Sequence, residues 1–278
     1  MASFKEIRKR INSIKSTRKT TSAMRMVSSS KLHKAENEIT NVQPYCDALY
    51  KILSSLLTAD YSTALAVERP VRNAAIVAFS SDSSLCGAFN SNIIRELQRA
   101  VKRYHQQSPA INNVYIYTVG KKVYDAVRKS GVNITQNLEN LAGKSDYNAV
   151  AALGETLIKQ FVSAEIDRVE LIYHHFKSAG AQTLVCEQIL PVTGTKNEGV
   201  DFILEPSHDR ILQVLIPKSI KLKLFTALLD SNASEHAARM IAMQTATDNA
   251  DDLVTELTIE YNKSRQQAIT NELLDIAR

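Results

Sequence analysis

Residues 218–278 read KSIKLKLFTALLDSNASEHAARMIAMQTATDNADDLVTELTIEYNKSRQQAITNELLDIAR, with neither glycine nor proline anywhere in the stretch. Either residue would weaken or kink a helix interior, so the whole segment reads as one helix. At about 1.5 Å per residue it would run about 90 Å, several times an ordinary globular helix. A helix that long needs a partner helix or an outside sleeve. The other end of the chain has the same character: no glycine occurs before Gly87, and Pro44 is the only breaker in the first stretch.

The chain has 278 residues, 44% hydrophobic and 23% charged, which suits one or two globular domains and excludes a disordered chain. No run of about 18 apolar residues exists, so no transmembrane helix is expected. The basic start MASFKEIRKR lacks the apolar core of a secretory signal. Cys46, Cys86 and Cys186 are far apart and odd in number, a pattern that favours a reducing compartment and no structural zinc.

The net charge of +5 is concentrated at the N-terminus, where Lys5, Arg8, Lys9, Arg10, Lys15, Arg18, Lys19, Arg25, Lys31 and Lys34 face one acid, Glu6, before Glu36. Taken alone, this is a helix for nucleic acid or an anionic membrane. Acids on the last helix offer the other reading. Phe4, Ile7, Ile11 and Ile14 start a coiled-coil stripe that continues through Thr21, Ser28, Leu32, Ala35, Ile39 and Val42. Leu222, Phe225, Leu229, Ala233, Ala237, Met240, Met243, Ala246, Ala250, Val254, Leu257 and Tyr261 step likewise along the last helix. If the central region is inserted like a head on a hairpin, Val42 lies near Leu222 and the helices run antiparallel. Lys5, Arg8, Lys9 and Lys15 then fall beside Glu260, Glu256, Asp252 and Asp251. The first helix is exhausted near Tyr261, leaving Ile269, Leu273, Leu274 and Ile276 on an overhang. An external sleeve would cover them; a frayed or folded-back tail is the alternative.

Between the helices, short β-branched runs alternate with helical stretches, which argues for a Rossmann-like α/β head. Strands are expected at 74–79, 114–119, 132–135, 168–176 and 182–191, with helices at 90–105, 121–129 and 147–163. The last two strands form an antiparallel edge on a mainly parallel sheet, and loops at Pro70 and Thr193–Val200 bound the head. The fold class is thus α/β, a long antiparallel coiled coil of the terminal helices carrying a central head. Its three segments are 1–60, 70–205 and 210–278. The loop SSDSSLCGA at 80–88 is neither a dinucleotide fingerprint nor a P-loop. Cys86 precedes a helix and could be a nucleophile only with a base beside it; a packed thiol in a tight turn is the preferred reading. His174 and His175 would point to opposite faces of a strand. Asp251 and Asp252 sit on a helix surface. No catalytic or metal-binding constellation emerges, and no cofactor is expected.

Three segments, IRKRINSIKSTRKTTSAMRMVSSSKLHKA, SDSSLCGAFN and EHAARMIAMQTATDNADDLVTELTIEYNKSRQQAITNELLDI, closely resemble the γ subunit of F-type ATP synthases. The resemblance implies a non-catalytic central rotor stalk. Its helical pair would sit inside a ring of α and β subunits, with the head on the c-subunit ring beside ε. Proton flow would turn it, with no nucleic acid involved and membrane association only through the complex. Contacts with the α/β ring are implied at Met24, Arg25, Arg239, Arg265, Gln266, Thr270 and Glu272. The family loop is usually SDRGLCGG, so Ser83, Ser84 and Ala88 depart from it, and no regulatory cysteine pair is inserted. A start at Met1 without a presequence points to the cytoplasmic face of a bacterial inner membrane rather than to a mitochondrial precursor.

Overall fold

The computed structural model describes residues 4–56, 63–107, 113–130, 134–192, 205 and 207–276. The element order is α1 (Phe4–Leu56), β1 (Asn73–Phe79), α2 (Phe89–Gln107), β2 (Asn113–Val119), α3 (Lys121–Lys129), β3 (Ile134–Asn137), a 3-10 turn (Glu139–Leu141), α4 (Tyr147–Val162), β4 (Arg168–Ser178), β5 (Ala181–Leu190) and α5 (His208–Ile276). Packing divides the chain into two units, Met1–Ser30 with Arg239–Arg278, and Lys31–Ala238. Both terminal helices contribute to both units.

In the larger unit five strands lie in the order β3-β2-β1-β4-β5, all parallel except the β4–β5 hairpin. β1 is central and apolar on both faces because both faces are covered. One face sets Ala75, Val77, Phe79, Leu171 and Tyr173 against α4 and α5; the other sets Ala74, Ile76, Ala78 and Ile172 against α2 and α3. α5 is deeply packed along the head: no residue from Ser219 to Ala238 is exposed. On α1, Cys46 and Leu49 cluster with Leu222 of α5.

Several sequence expectations shift. The expected start of β3 at 132 lies outside the described residues, within which the strand runs Ile134–Asn137, and the loop at 193–200 lies outside them too. α5 begins at His208, so Pro217 is inside it, as Pro44 is inside α1. Each proline strips a hydrogen bond from the residue four before it, Gln213 and Thr40, and both of these are exposed, so water can serve the carbonyl. Phe4, expected on the seam, is 41% exposed.

One tight approach joins the ends of β1 and β2. Gly120 has φ +93°, and a Cβ there would lie 2.2 Å from the Ser80 carbonyl oxygen. Gly120→Ala is expected to cost about 2 kcal/mol or more, since strained φ and a backbone clash add. Urea unfolding of the full chain measures it, and wild-type stability in the variant would contradict the close approach.

Candidate functional site

The smaller unit is an antiparallel helix pair. Ile7 and Ile11 of α1 bury against Leu257 of α5, with Ile14 and Tyr261 alongside. The middle of the seam is small and polar. The Thr21 and Thr247 hydroxyls meet at 2.8 Å, while the Thr247 hydroxyl also approaches the Met243 carbonyl and the Ser28 hydroxyl bonds that of Met24. Such side chains satisfy themselves on their own helix turn, which lets two helix axes approach without orphaned polar groups. The Arg25 guanidinium donates to the Gln244 amide oxygen at 2.7 Å, and Arg18 pairs with Asp251 at 2.5 Å. These contacts set the register about one turn away from the sequence expectation, since Asp251 meets Arg18 instead of Lys15. The Thr21–Thr247 bond is specific in direction, whereas surface ion pairs contribute little and cannot choose a register. Arg8, Lys9, Arg10, Lys15 and Lys19 remain exposed.

The implied contact residues fall at two ends of this pair. Met24 and Arg25 are half-buried on α1, and Arg239 is buried on α5. Arg265, Gln266 and Thr270 are exposed about 40 Å further along α5, at about 1.5 Å per residue. The Thr270 hydroxyl bonds its own helix at the Gln266 carbonyl. Glu272 lies on α5, its side chain outside the described residues. With Thr21 opposite Thr247, Phe4 falls opposite about residue 264, so the last turns of α5 have no described α1 residue facing them. There Leu273 is 62% and Ile276 82% exposed. Met26 and Val27 on α1 are exposed too, as are Ile241, Leu253 and Ile259 on α5. None of these five lies on the apolar stripe of the pair, and their signal in the sequence is apolar character at positions off the seam.

The head has the edge at which doubly wound folds bind ligands, beyond the strand C-termini where the chain reverses its progress across the sheet, here between β1 and β4. One strand over, at the end of β2, the helix donors are already engaged. The first amides of α3 donate to the β1–α2 loop: Lys121 to Asp82 Oδ1, Lys122 to the Ser81 carbonyl and Val123 to Ser80 Oγ, at 3.0–3.1 Å. These are the groups that would otherwise cradle an anion. Cys86 is 2% exposed, with Asn90 Nδ2 at 3.0 Å from its sulfur and Ser81 Oγ at 3.7 Å. No general base is among those neighbours. His174 stacks on Phe89, the first residue of α2, with centroids 4.6 Å apart, while His175 on the opposite face reaches Asp230 at 2.6 Å. Among the described residues no group of three or more metal-ligating side chains converges.

A helix pair whose apolar far end has no described α1 residue beside it, on a chain that also carries a five-stranded α/β head, matches a known family over nearly its whole length. The family described as ATP synthase covers residues 3–278. The ATP synthase gamma chain of Bacteroides fragilis is 53% identical, with 99% of this chain and 98% of that one covered. The gamma chain of Bacteroides thetaiotaomicron is 51% identical at the same coverage. The chain belongs to the γ-subunit family of F-type ATP synthases. Its fold recurs in a chain of the Euglena gracilis mitochondrial ATP synthase OSCP/F1/c-ring assembly, with TM-score 0.71 and 20% identity over 99% of this chain and 92% of that one. A chain of the central stalk and c-ring structure of the Tetrahymena thermophila mitochondrial ATP synthase shares it at TM-score 0.60 and 24% identity, over 82% of this chain and 99% of that one.

His174 gives this family member a defined acid response. Its Nδ1 is buried without a hydrogen-bond partner, and burial pushes the ring's pKa down from 6.5 to about 4. A folded-state value below the unfolded one means stability that is complete above pH 6.5 and is lost as pH falls toward 4, on the order of 3 kcal/mol over that window. His174→Gln is expected to flatten the fall in unfolding free energy between pH 6.5 and 4, whatever its stability at pH 7. An unchanged slope would contradict the buried neutral imidazole.

Proposed function

We propose that the chain is the central rotor stalk of an F-type ATP synthase, coupling proton flow through the membrane sector to ATP synthesis and hydrolysis. The observation that carries this reading is the end of α5, where apolar side chains stand exposed on a helix with no described α1 residue opposite. A single helix with bare Ile269, Leu273, Leu274 and Ile276 would associate nonspecifically unless enclosed. A ring of α and β subunits supplies the enclosure, and Arg265, Gln266, Thr270 and Glu272 would meet its inner wall. Met24, Arg25 and Arg239 would meet it at the other end of the pair. The head would rest on the c-subunit ring beside ε.

The chain contributes mechanics rather than chemistry. ATP, magnesium and the reacting groups belong to the α and β subunits, and the asymmetry of the helix pair makes the catalytic β sites unequal. No described helix is long and apolar enough to cross a membrane, so attachment runs through the complex. With near relatives in Bacteroides, the place we assign is the cytoplasmic face of a bacterial inner membrane.

Co-expression with α and β subunits from the same source tests this directly. ATP hydrolysis is expected only from the ternary complex, and a chain that stays apart from α and β would overturn the reading. Arg265→Ala is expected to weaken the complex by about 2 kcal/mol, the loss of one buried arginine anchor, and to lower proton pumping. Cys86→Ser should leave both unchanged.

A further inference from the structure

A shaft that carries torque must be prevented from turning inside its own head. α5 packs on the sheet mainly through Leu212, Ile216, Ile220, Leu224 and Leu228. Such contacts are strong but non-directional, and they oppose separation more than rotation about the helix axis. Hydrogen-bonded ion pairs have fixed geometry and must break when the helix turns. Directional ion pairs and hydrogen bonds tie α5 to α4 and to the β4–β5 hairpin within the larger unit. Lys221 reaches Glu155 of α4 at 2.6 Å, and Lys223 reaches Glu187 of β5 at 2.9 Å. Asp230 meets His175 of β4 at 2.6 Å, and the Ser234 hydroxyl donates to the His174 carbonyl at 3.1 Å.

Their placement round the helix is the informative part. At about 100° per residue, Lys223, Asp230 and Ser234 lie within about 40° of one another and about 180–220° from Lys221. Three ties therefore hold one side of α5 to the β4–β5 hairpin along about 16 Å, and the fourth holds the opposite side to α4. Restraints on opposite sides of an axis oppose rotation as a couple. The α4 side is close: a Cβ on Gly154 would lie 3.0 Å from Lys221 Cγ, so the lysine stem is confined against α4 beside its acid partner. On the hairpin side the Tyr173 hydroxyl donates to the same Glu187 oxygen at 2.7 Å and fixes the carboxylate that Lys223 meets.

We propose that these opposed ties, Lys221–Glu155 on one side and Lys223–Glu187, Asp230–His175 and Ser234–His174 on the other, form the torsional joint through which torque passes between the head and α5. The assignment rests on the rotor reading. It makes Lys221, Lys223 and Asp230 positioning residues for coupling, remote from every nucleotide.

The test uses the complete complex with its membrane sector, carrying Lys221→Gln, or Lys223→Gln with Asp230→Asn, or all three. ATP hydrolysis, protons pumped per ATP and the torsional stiffness between head and ring are measured, the last from single-molecule fluctuations. Hydrolysis is expected to stay within about two-fold of wild type. Each side alone softens the joint by up to about two-fold, and the triple variant softens it by more than the product, with fewer protons per ATP, as coupled restraints should. Lys221→Arg, which keeps the ion pair, should restore wild-type stiffness. A triple variant with wild-type stiffness and proton yield overturns the joint. Should it fail to assemble, Lys221→Gln decides by the same criterion, because its surface pair is not needed for folding. If the wild-type chain itself does not turn with α and β, the rotor reading falls first, and the joint with it.

Discussion

The burial of α5 changes along its own length, and that gradient governs the rest of the molecule. From Ser219 to Ala238 every residue is sheltered; from Asn262 to Ile276 only Ser264 and Ala268 are partly sheltered among the described side chains. Apolar burial contributes about 25 cal/mol for each Å² removed from water, so the first stretch is anchored by the head's own core. The last stretch keeps its apolar side chains without that return. A sequence that retains leucine and isoleucine on bare helix, rather than replacing them with charge, is built for an enclosure that another protein provides.

The head shows why a fold that elsewhere holds nucleotides serves here as a mounting. The β1–α2 loop folds back and consumes the first amides of α3, Gly120 lets it approach by adopting φ +93°, and Phe89 stacked on His174 packs the edge between β1 and β4. What remains is a rigid sheet with α5 across one face. Function moves from the strand ends to the helix that leaves them, a reminder that architecture and activity are separable.

Much of this was readable in the residues. Buried runs such as AAIVAF marked the central strand, and the missing glycines and prolines marked the long helices, because backbone preference and burial act locally. The register of the helix pair was less legible: apolar stepping repeats every turn and so admits a slip of one turn, which the Thr21–Thr247 contact removes. Pro44 read as the one breaker of the first stretch, yet a helix tolerates it where the freed carbonyl faces water. Among the candidate residues, Arg265, Gln266 and Thr270 are exposed on the last turns of α5, beyond the described part of α1. The exposed Met26 and Val27 escaped notice because a seam analysis discards whatever lies off the seam. The ties of Lys221, Lys223 and Asp230 join residues from distant segments, and a single sequence carries no pairing signal at that range.

The most direct test of rotation is to fix the α/β ring to a surface, attach a bead to the head of this chain, and supply ATP while hydrolysis is followed. Stepwise turning in one direction that stops when ATP is withdrawn is the expected result. Hydrolysis at full rate with a head that stays still would contradict it.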